Sequence, residues 1–322
     1  MKSLQFLPGV QSGNEGANNI SVRGSNQWGN LVLLDEAVVY NPSHVLSFFS
    51  VFNNDAIREV NLYKSFFPLK YGGRSSSVID VRMREGNSKE RERSAGLGLI
   101  ASKVLLEGPL KKKEGSYLVS GRFGYPGVVA GLLGSNLTSK PQMWFYDVNA
   151  KVNRTLDARN RMFFSLYSGG DHTVFNKLVK GYGMDWGNAT ATIRWNHILN
   201  DKTNVNTSAV FSNYYYKYKS LSDGLRYVWK SNMQSYQLKS DWERYQNNLL
   251  TLKGGVNLHY FTTMPGEVGK SGKDSNITPS QMPRKSLWDA ALYAEANYKF
   301  LPHFLLNAGV RLSVLHAPAS AY

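Results

Sequence analysis

The feature that most constrains the fold of this chain is an alternation of apolar and polar residues through its C-terminal two-thirds. In WFYDVNAKVNRTL, Trp144, Tyr146 and Val148 occupy one set of positions and Asp147 and Asn149 occupy the other. Successive side chains of a β-strand point to opposite faces, so this alternation predicts strands with one apolar and one polar face. About ten such segments follow one another, which predicts a large antiparallel sheet.

Short and long connections between these segments are predicted to alternate. Short turns are expected at GPLKKKEG, DARN, NDKT, RYQNN and LPH, and longer connections at 126–143, 171–187, 219–231 and 265–287. The predicted strands reach the roughly 9–11 residues that cross a bilayer with tilt. Outer-membrane barrels combine tight turns at one rim with long loops at the other. The pattern therefore favours an all-β antiparallel transmembrane barrel sheet over a soluble sandwich.

Residues 1–93 follow a different pattern, with short apolar segments between clusters of glycine and serine. EVNLYKS and SSVIDVRMRE are predicted strands. VLSFFSVFNNDAIREV is predicted to supply a helix or a pair of helical turns, and the charged REGNSKERERS is predicted to be a linker. We therefore predict an α+β domain with its linker at 1–93 and the barrel strands at 94–322. The opening MKSLQFLPGV lacks the regions of a signal peptide, and no run of about 18 apolar residues predicts a spanning helix.

The formal net charge of +15 makes nucleic acid, anionic lipid and acidic ligands candidate partners. Several basic residues fall in predicted turns, such as Lys111, Lys112 and Lys113 between Pro109 and Gly115, and KERER mixes both signs. We therefore expect the charge to lie mainly on solvated loops, and we do not expect nucleic acid as a partner.

Asp35 and Glu36 are the strongest candidates for acid–base chemistry. Adjacent strand residues point to opposite faces, however, whereas general acid–base catalysis needs two convergent groups. We expect Asp35 instead to pair with Arg23 or to cap a turn. The chain has no cysteine, its six histidines lack metal-ligand spacing, and GLGLIA and GEVGKS lack the context of nucleotide-binding loops. We therefore predict neither an enzyme nor a bound cofactor.

Several N-terminal segments together resemble the plug domain of TonB-dependent outer-membrane receptors, in the branch common in Bacteroidetes-type bacteria. They are LPGV, ISVRGSNQWGNLVLLDEAVVYNP and DAIREVNLYKSFFPLKYGGRSSSVIDVRMREG. Downstream, LLEGPLKKKEGSYLVSGRFGY, FYDVNAKVN and WGNATATIRWNHI resemble the first barrel strands of the same proteins. The segments stand in the family's order and cover nearly the whole chain.

The resemblance implies a plug enclosed by a barrel of roughly 22 strands, and active uptake of a scarce extracellular ligand. The family's ligands are metal chelates, cobalamin, glycans or peptides. Its partners are the TonB energy-transducing protein, outer-membrane lipid and, as an additional partner, a surface lipoprotein. The family's TonB-contacting box and first half of the plug have no counterpart before Lys2. Since an open sheet edge is not tolerated in lipid, we expect an internal fragment that does not transport alone.

Three sets of residues are assigned roles on these grounds. The resemblance implies plug-fold roles for Arg23, Gly24, Asp35, Gly72, Gly73 and Arg74, with a positive-φ turn expected at the glycine pair. Contacts between plug and barrel are predicted for Arg82, Arg84, Arg122 and Arg194, although solvated arginines are an open alternative. Loop contacts to ligand are predicted for Tyr214, Tyr215 and Tyr216, with an interfacial aromatic belt as the alternative.

Two other functions stay open at this point. A passive adhesion or surface-binding barrel would need no energy input, and a TonB box encoded upstream would separate it from an energised receptor. A soluble basic β protein would dissolve without detergent and bind DNA in a salt-sensitive way.

Overall fold

The computed structural model describes residues 2–12, 20–25, 29–111, 114–133, 142–175, 181–220, 226–272, 275–301 and 303–318. They form two parts. An N-terminal domain extends to residue 91, and a large antiparallel sheet begins at Glu92.

The N-terminal domain is built on a small four-stranded sheet. The strands of the whole domain are β1 (Val10–Ser12), β2 (Ile20–Val22), β3 (Leu31–Leu34), β4 (Ala37–Val38), β5 (Ser43–His44), β6 (Phe49–Ser50), β7 (Ile57–Tyr63) and β8 (Val78–Met83). The domain also has 3-10 turns at Lys2–Phe6 and Asn54–Ala56. The sheet order is β4-β3-β8-β7, in which β3 runs parallel to β8. Ile79, Val81 and Met83 of β8 are completely buried in its core. The strands predicted in EVNLYKS and SSVIDVRMRE are confirmed.

VLSFFSVFNNDAIREV does not form the predicted continuous helix, and its helical part is the single 3-10 turn at Asn54–Ala56. The segment after β5 turns tightly back to β6, and Val45, Leu46 and Ser47 have φ values of 50°, 54° and 83°. Consecutive non-glycine residues with positive φ are intrinsically unfavourable, so surrounding contacts must hold them. Those contacts come from the large sheet, as the backbone N–H of Val45 donates to Asp171 at 2.7 Å.

The large sheet is an antiparallel meander. Its elements are β9 (Glu92–Leu97), β10 (Ala101–Pro109), β11 (Gly115–Gly124), helix α1 (Pro126–Leu133), β12 (Gln142–Thr155), β13 (Asn160–Phe175), β14 (Tyr182–Asn200), β15 (Thr203–Ser220), β16 (Tyr227–Tyr245), β17 (Leu250–Lys270), β18 (Ser280–Gln281), β19 (Lys285–Leu301) and β20 (Phe304–His316). Consecutive strands pair antiparallel, with the short β18 pairing beside β17. The predicted barrel sheet is therefore confirmed. The twelve strands exceed the predicted ten because β9 begins inside the predicted linker and β18 has only two residues.

The strands are longer than predicted, and the connections between them are correspondingly shorter. β17 alone has 21 residues. The long connections predicted at 171–187 and 219–231 consist largely of strand, and only residues 176–181 and 221–226 lie between the flanking strand ends. Because the polar ends of these strands keep the period-2 geometry, the sheet extends beyond the length that a bilayer requires.

The two faces of the large sheet differ as the alternation predicted. In β12, Asp147, Asn149 and Lys151 on one face are buried, whereas Trp144 and Val148 on the other are exposed. Large exposed apolar side chains continue this outer face across the sheet: Phe164, Leu166, Ile193, Leu238, Leu258, Leu292 and Val310. A contiguous apolar surface of this extent marks an interaction or membrane-facing surface.

The buried polar face of the large sheet curves around the N-terminal domain. Strands at opposite ends of the sheet both reach that domain: Glu107 of β10 pairs with Arg84, and Arg311 of β20 donates to the carbonyl of Leu69. Among the described residues, no helix is both long enough and apolar enough to span a membrane.

Candidate functional site between the N-terminal domain and the sheet

The β3–β4 hairpin carries two acidic residues at its tip. Leu34 pairs with Ala37, so Asp35 and Glu36 are the two central residues of the turn, with φ values of 44° and 79°. Two central residues with positive φ are typical of a type I′ turn, whose twist matches that of the flanking strands. The turn directs both carboxylates towards the large sheet.

Asp35 binds residues on the buried polar face of the large sheet, which we call the wall. Among the described residues, it does not bind those near it in the sequence. Its carboxylate lies 2.9 Å from the Lys151 ammonium and accepts hydrogen bonds from the Ser165 hydroxyl at 2.7 Å and the Met83 amide at 3.2 Å. The Asp35 and Lys151 side chains are only 5% and 3% exposed. The predicted pairing with Arg23 is therefore wrong, because the tight turn points Asp35 away from that residue.

Arg23 and Gly24 form a tight turn of their own after β2. Their φ values are 53° and 73°, and the amide of Ser25 donates to the Val22 carbonyl at 3.1 Å. The backbone N–H of Arg23 donates to the Gly9 carbonyl at 2.8 Å. The two residues thus shape the chain locally.

Glu36 is the centre of a second ionic cluster. Its carboxylate lies 3.1 Å from Arg82, 3.3 Å from Arg194 and 3.0 Å from Lys239. Burial by itself would raise the pKa of Glu36, but Lys239, Arg82 and Arg194 outweigh that effect and hold the pKa well below its usual range. Glu36 therefore links the domain to two separate strands of the wall, β14 and β16.

Arg82 was predicted to contact the barrel wall. Among the described residues its two carboxylate partners both belong to the N-terminal domain, Glu36 at 3.1 Å and Asp80 at 3.1 Å. Asp80 also accepts a hydrogen bond from the Tyr71 hydroxyl at 3.0 Å. Arg82 lies on β8 and lines the same cavity as the wall residues Arg194 and Asp241, so it supports Glu36 where that residue meets the wall.

The other three predicted arginines do join the domain to the wall. Arg84 lies 2.7 Å from Glu107 of β10. Arg122 of β11 donates to the Ser50 carbonyl at 2.6 Å and also holds the wall residue Asp147. Arg194 of β14 reaches Glu36, as described above.

His44 forms a third buried cluster that the sequence analysis did not predict. Its Nδ1 lies 2.5 Å from Asp171 and its Nε2 lies 2.7 Å from Asp147. Asp147 also pairs with Arg122 and accepts from the Tyr167 hydroxyl at 3.0 Å. Since a carboxylate only accepts hydrogen bonds, an imidazolium that donates from both ring nitrogens satisfies this arrangement. Burial alone would lower the pKa of His44, but Asp147 and Asp171 raise it to about 9.

This raised pKa predicts a pH dependence. The contribution of His44 to the stability of the docked domain is fully present below pH ~6.5 and is lost as pH rises through about 9. The pKa difference corresponds to about 3 kcal/mol. Urea unfolding of the N-terminal domain in detergent, followed from pH 6 to 10, should show this loss, and His44→Gln should flatten it. His172→Gln is the matched control, since His172 pairs with Asp185 within the wall and lies farther from the domain. A slope that survives in His44→Gln would contradict the prediction.

The three tyrosines predicted to contact ligand near a loop lie within β15, a few residues before that strand ends at Ser220. The ring of Tyr214 lies 6.4 Å from that of Tyr40 in the N-terminal domain, so it is a wall contact. Tyr215 is 38% exposed on the opposite face, and Tyr216 lies opposite Ser231 of β16.

The glycine pair and Arg74 lie beside the wall at β20. Gly73 has a φ of +77°, whereas Gly72 lies close to a side chain of the wall. A Cβ atom at Gly72 would lie 2.9 Å from the Arg311 guanidinium. Arg74 donates to the carbonyl of Gly73 at 3.0 Å. The backbone of Gly72 therefore lies close to the Arg311 side chain of the wall.

Several cavities lie between the N-terminal domain and the wall on the β16–β20 side, and two of them border the β3–β4 hairpin. The large cavity, about 380 Å³, lies between the β3–β4 hairpin, residues 70–74 and strands β16, β17, β19 and β20. The small cavity, about 250 Å³, lies nearer the short turns, beside Asp241, Lys253 and Tyr293. Glu36 and Lys70 line both cavities. The ionic clusters thus fasten the domain to the wall and border the space beside it.

Sequence reasoning placed Lys151 on the face towards the plug, but it missed the anchoring partners Asp171 and Lys239, as well as His44. Lys151 and Asp147 stood on the predicted polar face of their strand, which was the available signal. Which residue of the domain each one meets depends on contacts between residues more than 100 positions apart, such as His44 and Asp171.

A comparison with protein families matches residues 1–79 to the TonB-dependent Receptor Plug Domain. The matched segment contains β1 to β7 and the start of β8. A search of curated protein sequences finds no match to this chain.

Solved structures share the fold at low sequence identity. BauA, the ferric preacinetobactin receptor from Acinetobacter baumannii, matches with a TM-score of 0.70 and 12% identity, over 97% of this chain and 54% of its own. The outer membrane transporter YddB from Escherichia coli matches with 0.70 and 15%, over 97% and 53%. The ferric-catecholate import receptor Fiu from Escherichia coli K12 matches with 0.70 and 14%, over 98% and 57%. The chain therefore spans about half the length of these proteins and has the fold of that half.

Proposed function

We propose that this chain is the plug and the N-terminal barrel strands of a TonB-dependent receptor that imports a scarce ligand across the outer membrane. The observation that carries the proposal is the agreement between the family match and the fold. The segment that matches the plug family is the same segment that the polar face of the antiparallel sheet surrounds. The exposed apolar outer face fits contact with outer-membrane lipid.

The buried ionic clusters explain how such a plug stays in place and why its movement needs energy. Asp35, Glu36 and His44 each place a charge of the plug against opposite charges of the wall. Breaking a buried pair by removing one partner typically costs about 3–5 kcal/mol, since the other charge is left uncompensated. An unassisted ligand would rarely displace a plug held by several such pairs. A pulling partner such as the TonB protein supplies that energy.

Several classes of ligand are candidates for this receptor. Metal chelates, cobalamin, glycans and peptides are the candidates, and metal chelates should be tested first because two of the structural neighbours are named ferric receptors. A surface lipoprotein is a proposed additional partner. The proposal concerns the receptor to which this half-length chain contributes.

The decisive experiment compares uptake with and without energy coupling. Cells that express the receptor are given radiolabelled ferric chelate, cobalamin, oligosaccharide or peptide, in backgrounds with and without a functional TonB protein. We expect the intact background to accumulate one of these ligands, and the TonB-deficient background to bind it at the surface without accumulating it. Uptake of a small porin substrate serves as the control. Accumulation that is independent of TonB would instead indicate a passive barrel.

A further inference from the structure

Three cations meet at the large cavity without a carboxylate partner among the described residues. Lys70, Arg74 and Arg311 all line this cavity, and none of them lies within 4.0 Å of a described acidic side chain. Charges of one sign that share a confined space repel each other, and the low local dielectric strengthens that repulsion. Burial, together with the nearby Arg82, lowers the pKa of Lys70.

The backbone of residues 69–74 holds these cations together. Arg311 donates to the Leu69 carbonyl at 2.8 Å. The Arg311 guanidinium can approach the backbone at Gly72 closely, because glycine has no side chain. Arg74 donates to the carbonyl of Gly73. Each guanidinium has five donors in total, so most of them stay free to bind a ligand from the cavity. The YGGR motif therefore contributes to a cationic part of the cavity lining, which consists of Lys70, Arg74 and Arg311.

The carboxylates that line the same cavity do not neutralise these three cations. Glu36 is already surrounded by Arg82, Arg194 and Lys239. Asp289 of β19 is half-buried, and its Oδ1 has no hydrogen-bond partner within the described structure. Neither carboxylate lies within 4.0 Å of Lys70, Arg74 or Arg311, so these three cations are open to an anionic ligand from outside the protein.

Part of the cavity lining is apolar and aromatic, beside the polar residues Gln237, Asn257 and His259. Leu33, Val38 and Leu287 supply aliphatic surface, and Tyr40 and Phe261 supply rings whose centroids are 6.4 Å apart. Pockets of 300–1,000 Å³ with mostly apolar lining and a few convergent polar groups are typical of small-molecule sites. The volume of about 380 Å³ falls within that range. A fully hydrated inorganic ion would leave the apolar lining unused.

We propose that the large cavity is a binding site for a small organic anion with an aromatic or apolar body. Its carboxylate meets Lys70, Arg74 and Arg311, and its body packs against the Tyr40 and Phe261 rings. A role of this site in holding a ligand on its way between plug and wall rests on the proposed receptor function. Binding of the anion to the cavity does not depend on that function. The site lies inside the sheet, beside the β3–β4 hairpin.

The test uses the protein extracted from outer membranes in detergent and two probes of equal shape. Fluorescent 2-naphthoate carries the carboxylate at pH 7, and 2-naphthamide is its neutral counterpart. Binding is followed by fluorescence anisotropy. We expect the naphthoate to bind about tenfold more tightly than the amide, because it alone forms charge-assisted hydrogen bonds. Equal affinities for the two probes would overturn the proposal.

Variants locate the binding site. Lys70→Gln and Arg311→Gln should each weaken naphthoate binding about tenfold and leave naphthamide unchanged. Lys230→Gln is the matched control, because Lys230 is an exposed residue of β16 that pairs with Glu267. Lys70→Gln removes an unpaired charge, so its resistance to urea should equal or exceed that of the parent protein. Unchanged naphthoate binding in both cavity variants would overturn the proposal, whatever the result of the TonB-dependent uptake assay.

Discussion

Replacing Asp35 with asparagine will lower the free energy of unfolding of the N-terminal domain within the sheet by about 3–5 kcal/mol. The substitution keeps the shape of the side chain, and asparagine tolerates the left-handed backbone of this turn. What it removes is the counter-charge of Lys151, which is 3% exposed and has no other carboxylate within 4.0 Å among the described residues. The ammonium is then buried without compensation. Urea unfolding in detergent, followed by a fluorophore on the domain, measures the change.

Two further variants separate lost charge from general damage. Asp55→Asn breaks the pair between Asp55 and Lys103, which is partly exposed, and should cost less than about 1 kcal/mol. Adding Lys151→Met to Asp35→Asn removes the uncompensated charge and should recover most of the lost stability. If Asp35→Asn costs no more than Asp55→Asn, the buried pair does not anchor the domain.

Replacing Glu36 with glutamine should have an effect of similar size, about 3–5 kcal/mol. The amide cannot neutralise Arg82, Arg194 and Lys239, whose charges would then face one another. Arg82 keeps Asp80 at 3.1 Å, and Arg194 keeps the Phe163 ring at 4.2 Å. Lys239 loses the sole carboxylate that lies within 4.0 Å of it among the described residues. The destabilisation should therefore arise mainly from Lys239.

The pKa of Glu36 fixes how this effect depends on pH. Because the pKa is lowered in the folded state, the stabilisation is present above the ordinary value of about 4.5 and is lost only as pH falls well below it. The difference between the parent protein and Glu36→Gln should thus be constant from pH 5 to 7 and shrink in stronger acid. Glu243→Gln, which breaks a partly exposed pair with Lys253, should cost less than about 1 kcal/mol. Adding Lys239→Met should rescue Glu36→Gln, and a failure of that rescue would contradict the assignment to Lys239.

The strands of the large sheet could be predicted because their signal is local. Side chains alternate across a strand with a period of two, so the sequence around Asp147 and Lys151 already separated the buried polar face from the apolar outer face. The charged residues near Glu92 concealed one strand, since charge is also typical of linkers. Strand ends were placed too early, because the polar ends beside Tyr214 keep the sheet geometry without the apolar half of the pattern.

Local sequence patterns were sufficient to predict the two faces of the large sheet and the acidic pair that follows an apolar strand. The partners of that pair, Lys151 for Asp35 and Arg194 with Lys239 for Glu36, follow only from the folded chain. The tertiary structure also decided that the segment after His44 is a left-handed turn and not a helix. The physical reason is the range of the interactions. Side-chain alternation acts between neighbours, whereas a buried charge is satisfied by whichever opposite charge the folded sheet brings to it.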